Sequence, residues 1–89
     1  MSYSLRMRRS SVERLKEEAW RFIGGPRRVL TDQELAQVLL VSPSTLARIK
    51  AGERVPGMVV AAVLKVFGQD QELVQSVWYV EEPELQAAA

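Results

Sequence analysis

The chain is short, nearly neutral overall, and contains neither cysteine nor histidine. Its 89 residues, 47% of them hydrophobic, are enough for one domain with a single core. The missing residue types exclude disulfides, zinc fingers, thiol chemistry and imidazole acid–base catalysis. We therefore expect a protein that is not an enzyme and uses no cofactor or metal.

The formal net charge of +1 conceals a strong polarity along the chain. Residues 1–30 hold eight basic and three acidic residues, residues 31–68 hold four and three, and residues 69–89 hold five acidic residues and no basic one. The sequence thus predicts a basic N-terminal arm over residues 1–9, a helical domain over 10–80 and an acidic, flexible tail over 81–89. A polyanionic partner would meet the basic end.

The first predicted helix begins at Ser10, which forms a capping-box pattern with Glu13, and ends at Gly24-Gly25-Pro26. The loop that follows carries Arg27 and Arg28 towards the next helix. The apolar positions at helical spacing, which we expect to be buried, are Val12, Leu15, Ala19, Phe22 and Ile23.

Residues 31–52 contain the signals of two short helices joined by a tight turn. Thr31 and Glu34 form a capping-box pattern, which predicts a helix from about Asp32. Ser42-Pro43 restarts the chain as N-cap and first helical residue, and Gly52 closes the second helix. The apolar residues that would face each other are Leu35, Ala36, Leu39, Leu46 and Ile49.

The outer face of the second of these helices combines small residues, hydroxyls and one arginine. This mixture fits the major groove of DNA and can donate hydrogen bonds to base edges. The alternative is a helical hairpin whose polar face is simply solvated. The outward positions are Ser42, Pro43, Ser44, Ala47, Arg48 and Ala51.

This segment resembles the lambda-repressor-like (Xre/Cro-type) helix-turn-helix family. The matching residues are Thr31, Glu34, Leu35, Ala36, Val41, Ser42, Thr45, Leu46, Ile49, Gly52 and Pro56. Three positions depart from the family pattern: Leu40 replaces the usual turn glycine, Lys50 the usual acid, and Pro43 a frequent base-contacting residue. At Leu40 a positive φ is expected, at a cost on the order of 1 kcal/mol.

The resemblance implies an all-α bundle of about five helices, with room for a short terminal strand, that binds double-stranded DNA. Arg48 is expected to pair with guanine, and Ser42 and Ser44 to contact bases as well. The residues expected to contact the DNA backbone are Arg6, Arg8, Arg9, Arg27, Arg28, Thr31, Thr45, Lys50 and Arg54.

A fourth helix is predicted from Pro56 to Gly68, and Asp70 caps a fifth. The fourth is so apolar that we expect it to be buried nearly all round. One face would hold Val59, Ala62, Val63, Val66 and Phe67, and the fifth helix has a stripe of Leu73, Val74, Val77 and Trp78.

The C-terminal aromatic residues indicate a protein partner. Leu73, Val77, Trp78 and Tyr79 are predicted to form a homodimer interface, since one helix-turn-helix contacts too little DNA for useful specificity. The alternative is an intramolecular cap over the core. Tyr3, Leu5 and Met7 alternate with polar residues, which allows a strand pair between the two chain ends or between subunits.

Together these features predict a cytoplasmic, sequence-specific transcriptional regulator, namely a bacterial or phage repressor acting as a homodimer on a palindromic operator. No segment has the apolar length of a membrane span or the apolar core of a signal peptide. Two alternatives are the antitoxin half of a toxin–antitoxin pair, and a protein-interaction adaptor such as a phage antirepressor or packaging component.

Overall fold

The computed structural model describes residues 4–81, in which helices follow one another between two terminal strands. The expectation of a mainly helical fold with a terminal strand is confirmed. The elements are β1 (Ser4–Met7), α1 (Arg9–Glu18), α2 (Trp20–Ile23), α3 (Asp32–Val38), α4 (Pro43–Lys50), α5 (Gly57–Phe67), α6 (Gln71–Val77) and β2 (Trp78–Glu81).

Strand β1 and five of the helices contribute buried side chains to the core. Phe67 is its largest fully buried member. Phe22 of α2 packs edge-on against Phe67, with 5.1 Å between ring centroids. The buried apolar residues are Met7, Val12, Leu15, Ala19, Leu30, Leu35, Ala36, Leu39, Leu46, Ile49, Val55, Val59, Val63, Phe67, Leu73, Val74 and Val77.

The two chain ends pair as an antiparallel sheet, in which Leu5 lies opposite Val80 and Met7 opposite Trp78. Met7 is 1% exposed and belongs to the core. Residues 4–7 of the predicted N-terminal arm are therefore a strand of the domain, and β2 carries the domain one residue past the predicted boundary at 80. Residues 1–3 and 82–89, the remainder of the predicted arm and tail, lie outside the described residues.

The first helix begins earlier than its capping-box pattern predicted. Its N-cap is Arg8, whose carbonyl accepts hydrogen bonds from the backbone N–H groups of Ser11 and Val12. The predicted Ser10–Glu13 capping box is wrong, because β1 leads directly into the helix and the Glu13 carboxylate instead pairs with Lys16 at 2.8 Å.

The predicted first helix is divided at Ala19 into α1 and α2, and Gly24 ends α2 with φ +85°. Ile23 is 44% exposed, so its predicted burial is wrong. Neighbouring residues on a helix point about 100° apart. Because Phe22 faces Phe67 in the core, Ile23 is turned away from it.

Helix α5 is buried along one face only, which corrects the expectation of burial nearly all round. Val59, Val63 and Phe67 are fully buried, whereas Met58 is 67% and Leu64 51% exposed. The helix packs against α2 and α6, and residues 4–81 supply no further element to cover its other side. Asp70 caps α6 as predicted, by accepting from the backbone N–H of Leu73 at 3.0 Å.

Helices α1–α6 are all too short or too polar to cross a membrane.

Candidate nucleic-acid interface

Helix α3 begins with the predicted capping box. The Thr31 hydroxyl accepts from the backbone N–H of Glu34 at 3.2 Å, and the Glu34 carboxylate accepts from the backbone N–H of Thr31 at 3.0 Å. Two of the N–H groups that a helix start leaves unpaired are thus bonded. The first helix of the motif begins at Asp32, as the sequence predicted.

The turn after α3 is a Schellman motif with leucine at its left-handed position. The backbone N–H of Val41 donates to the carbonyl of Ala36 at 2.9 Å, and that of Leu40 to Gln37 at 3.2 Å. Leu40 has φ +59°, the positive value that the sequence predicted. The turn therefore has the geometry that glycine usually provides, reached here with a side chain that is 78% exposed.

Helix α4 starts and stops at the predicted residues. The Ser42 hydroxyl accepts from the backbone N–H of Thr45 at 3.2 Å, and Pro43 is the first helical residue. At the other end Gly52, with φ +96°, completes a second Schellman motif in which Glu53 N–H donates to the carbonyl of Arg48 at 3.1 Å. Both helices of the motif thus have defined starts and ends.

The two motif helices bury their facing apolar sides and expose the predicted outer face of α4. Leu46 and Ile49 of α4 are each 1% exposed and lie in one core with Leu35 and Ala36 of α3. All six outward positions predicted from the sequence are exposed: Ser42, Pro43, Ser44, Ala47, Arg48 and Ala51.

The three predicted base-contacting residues lie along this exposed face. The Ser42 hydroxyl is within 3.0 Å of the Ser44 hydroxyl and 2.9 Å of that of Thr45, besides capping the helix. The hydroxyls of Ser42, Ser44 and Thr45 are thus engaged with one another at the helix start, whereas the Arg48 side chain is not. No residue between 4 and 81 forms a hydrogen bond or ion pair with the Arg48 side chain.

Lys50 is occupied by an ion-pair network rather than presented to solvent. Its ammonium lies 2.9 Å from Asp32, and Lys16 of α1 lies 2.7 Å from the same carboxylate. Glu13 completes the group, 2.8 Å from Lys16. The Lys50 side chain is only 17% exposed, so its predicted role as a DNA-backbone contact is corrected: it joins α4 to α1 and α3.

These ion pairs shift the pKa values of Asp32 and Lys16. Hydrogen bonds from Lys16 and then Lys50 lower the pKa of Asp32 below its usual value, while the Asp32 carboxylate raises the pKa of Lys16. Both shifts favour the charged forms. The network therefore joins α1, α3 and α4 through ion pairs.

Arg28 lies beside the start of α3, where it pairs with Glu34 of the capping box. Its guanidinium donates to Glu34 at 2.8 and 3.0 Å. This contact and the backbone N–H of Thr31 lower the pKa of Glu34 to about 2. The Arg28 side chain is still 47% exposed, so the pair lies at the surface.

The other predicted backbone contacts fall into two groups. Arg8 stacks 4.6 Å above the centroid of the Tyr79 ring, Arg27 lies 5.7 Å from that of Trp20, and Arg6 donates to the carbonyl of Gly52. By contrast, Arg9 and Arg54 are exposed and make no hydrogen bond or ion pair with the rest of the described chain.

Strand β1 braces the loop that follows α4, a contact that the sequence analysis missed. The carbonyl of Leu5 accepts from the backbone N–H of Val55 at 2.8 Å, next to the Arg6–Gly52 bond. Backbone contacts of this kind join residues about fifty positions apart and leave no local pattern. The exposed end of α4 is thus held in place by the chain's own beginning.

The predicted dimer interface is only partly on the surface. Leu73 and Val77 are 1% and 0% exposed, so they are core residues and unavailable to a partner, which corrects that prediction. Trp78 and Tyr79 are half-buried in β2, where Trp78 packs against the core. The chain covers part of both aromatic side chains itself, because Trp78 packs on the core and Arg8 stacks on Tyr79.

Neither a pocket nor a cluster of potential metal ligands is found in the part of the chain that the structure describes. Comparison with known protein families, with characterised proteins and with solved structures gives no significant match. The functional interpretation therefore depends on the residues and geometry of α3, α4 and their surroundings.

Proposed function

We propose that the protein is a lambda-repressor-like helix-turn-helix protein that inserts α4 into the major groove of duplex DNA and represses transcription as a homodimer. The single observation that carries the proposal is the exposed outer face of α4, on a helix fixed at both ends and followed by a braced loop. Rigid presentation of a short helix is what base recognition in the major groove requires.

The chemistry of this face suits DNA. Arg48 is exposed and can form a bidentate pair with O6 and N7 of guanine, while the Ser44 hydroxyl can bond either donor or acceptor edges. Pro43 and Ala47 add little bulk, so the helix can approach the base pairs closely. Arg54, just beyond the helix, and Arg9 are available for phosphates.

The proposed mechanism is steric. Two copies related by a two-fold axis would present their α4 helices to successive major grooves, about 34 Å apart, on one face of the duplex. A protein bound in this way excludes polymerase from the site. The protein would then be a bacterial or phage-encoded repressor that acts in the bacterial cytoplasm.

Selection of binding sites from random duplex DNA tests the proposal, and a palindromic consensus is expected. On the selected site Arg48→Ala should weaken binding by about 1–3 kcal/mol, and far less on random DNA. Lys65→Ala is the matched control, since Lys65 is an exposed cation on α5 with no assigned contact. Equal losses on both DNAs would make Arg48 a phosphate contact, and no enriched sequence would overturn sequence-specific binding.

A second measurement examines the phosphate contacts. If Arg9 and Arg54 each neutralise one phosphate, their joint replacement by alanine should flatten the slope of log K against log salt by about two units. Binding to selected and random DNA should weaken alike. A slope equal to that of the unmodified protein would remove both residues from the interface.

A further inference from the structure

The turn before α4 exposes a large apolar side chain. Leu40 is 78% exposed, the largest fraction for any large apolar side chain of the described residues. Its backbone has φ +59°, a conformation that strains a leucine and that glycine or asparagine adopts more readily. The chain thus holds this leucine in an unfavourable conformation without burying it. Strained residues of this kind cluster at binding and catalytic sites.

Leu40 lies beside the N-terminal end of α4. It is two residues before the N-cap Ser42, so the two Cα atoms are at most about 7 Å apart. In helix-turn-helix proteins the N-terminal residues of the second helix contact base edges. A duplex that receives α4 in its major groove would therefore also meet the turn that carries Leu40.

The surface at this end of α4 is largely apolar. The hydroxyls of Ser42, Ser44 and Thr45 are bonded to one another. Pro43 is exposed and has neither a backbone N–H nor a polar side chain, and Leu40 is the largest exposed side chain next to it. The major groove displays one apolar group, the C5 methyl group of thymine. This end of α4 is therefore suited to thymine.

We propose that Leu40 contacts the methyl group of a thymine in the DNA site and thereby selects this base. The inference rests on the proposed function, because it requires α4 to lie in the major groove. Pro43 and Arg48 are separated by five residues of α4, or about 7.5 Å along the helix axis. This length corresponds to about two base-pair steps of about 3.4 Å. The thymine should therefore lie about two base pairs from the guanine that pairs with Arg48.

Replacing this thymine by deoxyuridine in one half-site tests the contact. The change removes one methyl group and leaves the hydrogen-bonding groups of the base pair in place. The unmodified protein should bind the altered DNA about fourfold more weakly, as expected for one buried methyl group. Leu40→Gly should bind the altered and unaltered DNA equally well. A fourfold difference in both proteins would overturn the proposal, since another residue would then contact the methyl group.

The folding stability of the variants separates a DNA contact from a structural role. Leu40→Gly should stabilise the fold yet weaken binding to the thymine-containing site, and Leu40→Asn, which also suits a positive φ, should lose the thymine preference too. Leu40→Met keeps an apolar side chain and should retain the preference. A methionine variant that binds like the glycine variant would overturn the apolar contact.

Val29→Gly is the matched control, because Val29 is an exposed apolar residue in the loop before α3. This variant should discriminate thymine from deoxyuridine as the unmodified protein does. A selected site that has a guanine dependent on Arg48, but no thymine dependent on Leu40, would overturn the inference and leave the proposed function standing. The absence of any enriched sequence would instead defeat the proposed function, and the inference with it.

Discussion

Helices α3 and α4 end in the same backbone motif, but one has leucine and the other glycine at the left-handed position. Leu40 has φ +59° and Gly52 has φ +96°. For an L-residue this conformation brings Cβ close to the carbonyl, at a cost of about 1–2 kcal/mol, which glycine avoids. The Leu40 side chain is 78% exposed and recovers little of this by burial. The turn of the motif therefore stores strain that the end of α4 does not.

Replacing Leu40 by glycine should raise the free energy of unfolding by about 0.5–1 kcal/mol, since relief of strain exceeds the added chain entropy. Gly52→Ala should lower it by about 1 kcal/mol, although nothing lies within 4 Å of the added Cβ. Urea denaturation measures both. Val29→Gly, in a loop with ordinary φ, is the control and should destabilise. A destabilised Leu40→Gly variant would mean that the leucine side chain contributes contacts that outweigh the strain.

The carboxylate of Glu34 makes stability depend on pH. Arg28 and the Thr31 backbone lower its pKa from 4.5 to about 2 in the folded chain, so the unfolded chain binds its proton more readily. The stabilisation is complete above about pH 4.5 and is lost as the pH falls towards 2. Glu34→Gln keeps a capping side chain but should flatten this part of the stability profile.

Acid titration followed by circular dichroism, with NMR of the Glu34 side chain, measures both quantities. Glu17→Gln is the control, because Glu17 is exposed and no ion pair or hydrogen bond of the described residues involves it. A Glu34 that titrates at its ordinary value would show that the Arg28 contact is not maintained in solution.

At the scale of elements, the sequence predicted what is decided locally. The starts at Thr31 and Ser42 and the ends at Gly52 and Gly68 depend on residues within one helical turn of them, and each is where the pattern indicated. The Ser10–Glu13 pattern has the same form and failed. Its carboxylate pairs with Lys16 one turn further along the same helix and lies 4.0 Å from Lys50 of α4, and strand β1 fixes where the helix starts.

Burial was harder to predict because it depends on what packs beside each helix. The composition of α5 indicates burial all round, but its neighbours cover only one side. Similarly, the outward face of α4 could be predicted from its spacing, whereas the ion pairs of Lys50 and the bond between Leu5 and Val55 connect distant segments. Such contacts follow from the fold and leave no signature in the sequence.

The network of Lys16, Lys50, Glu13 and Asp32 joins three helices, and Asp32 is its shared anion. Both lysine side chains are mostly covered, at 14% and 17% exposed. Asp32→Asn should therefore destabilise the fold by about 1–2 kcal/mol, because it leaves two neighbouring cations with one carboxylate. The loss should shrink at high salt.

Glu72→Gln is a matched control for this substitution. Glu72 also lies in the first turn of a seven-residue helix and, unlike Asp32, has no ion pair with the described residues. Both changes remove the same interaction with the helix dipole. If the two variants lose equal stability, the network contributes nothing beyond that dipole effect.

On the scale of the whole molecule, the two chain ends close the fold and support the candidate interface. β2 pairs with β1, and β1 in turn bonds the loop after α4 through Leu5 and Arg6. The most basic part of the sequence is therefore built into the domain, with Met7 in the core. A change in β1 should therefore alter the loop after α4, although no residue of the motif is substituted.

Met7→Ala should lower the free energy of unfolding by about 2–5 kcal/mol, as expected for truncation of a fully buried side chain. Deletion of residues 1–7 should destabilise the fold further and abolish the slow hydrogen exchange of the Val55 amide, whose acceptor is the Leu5 carbonyl. Arg9→Ala is the control and should change neither. A deletion variant that keeps full stability and a protected Val55 amide would show that the N-terminus is a separate arm, as its charge alone suggests. In the intact protein, Arg6 would then contribute to DNA binding only as a phosphate contact.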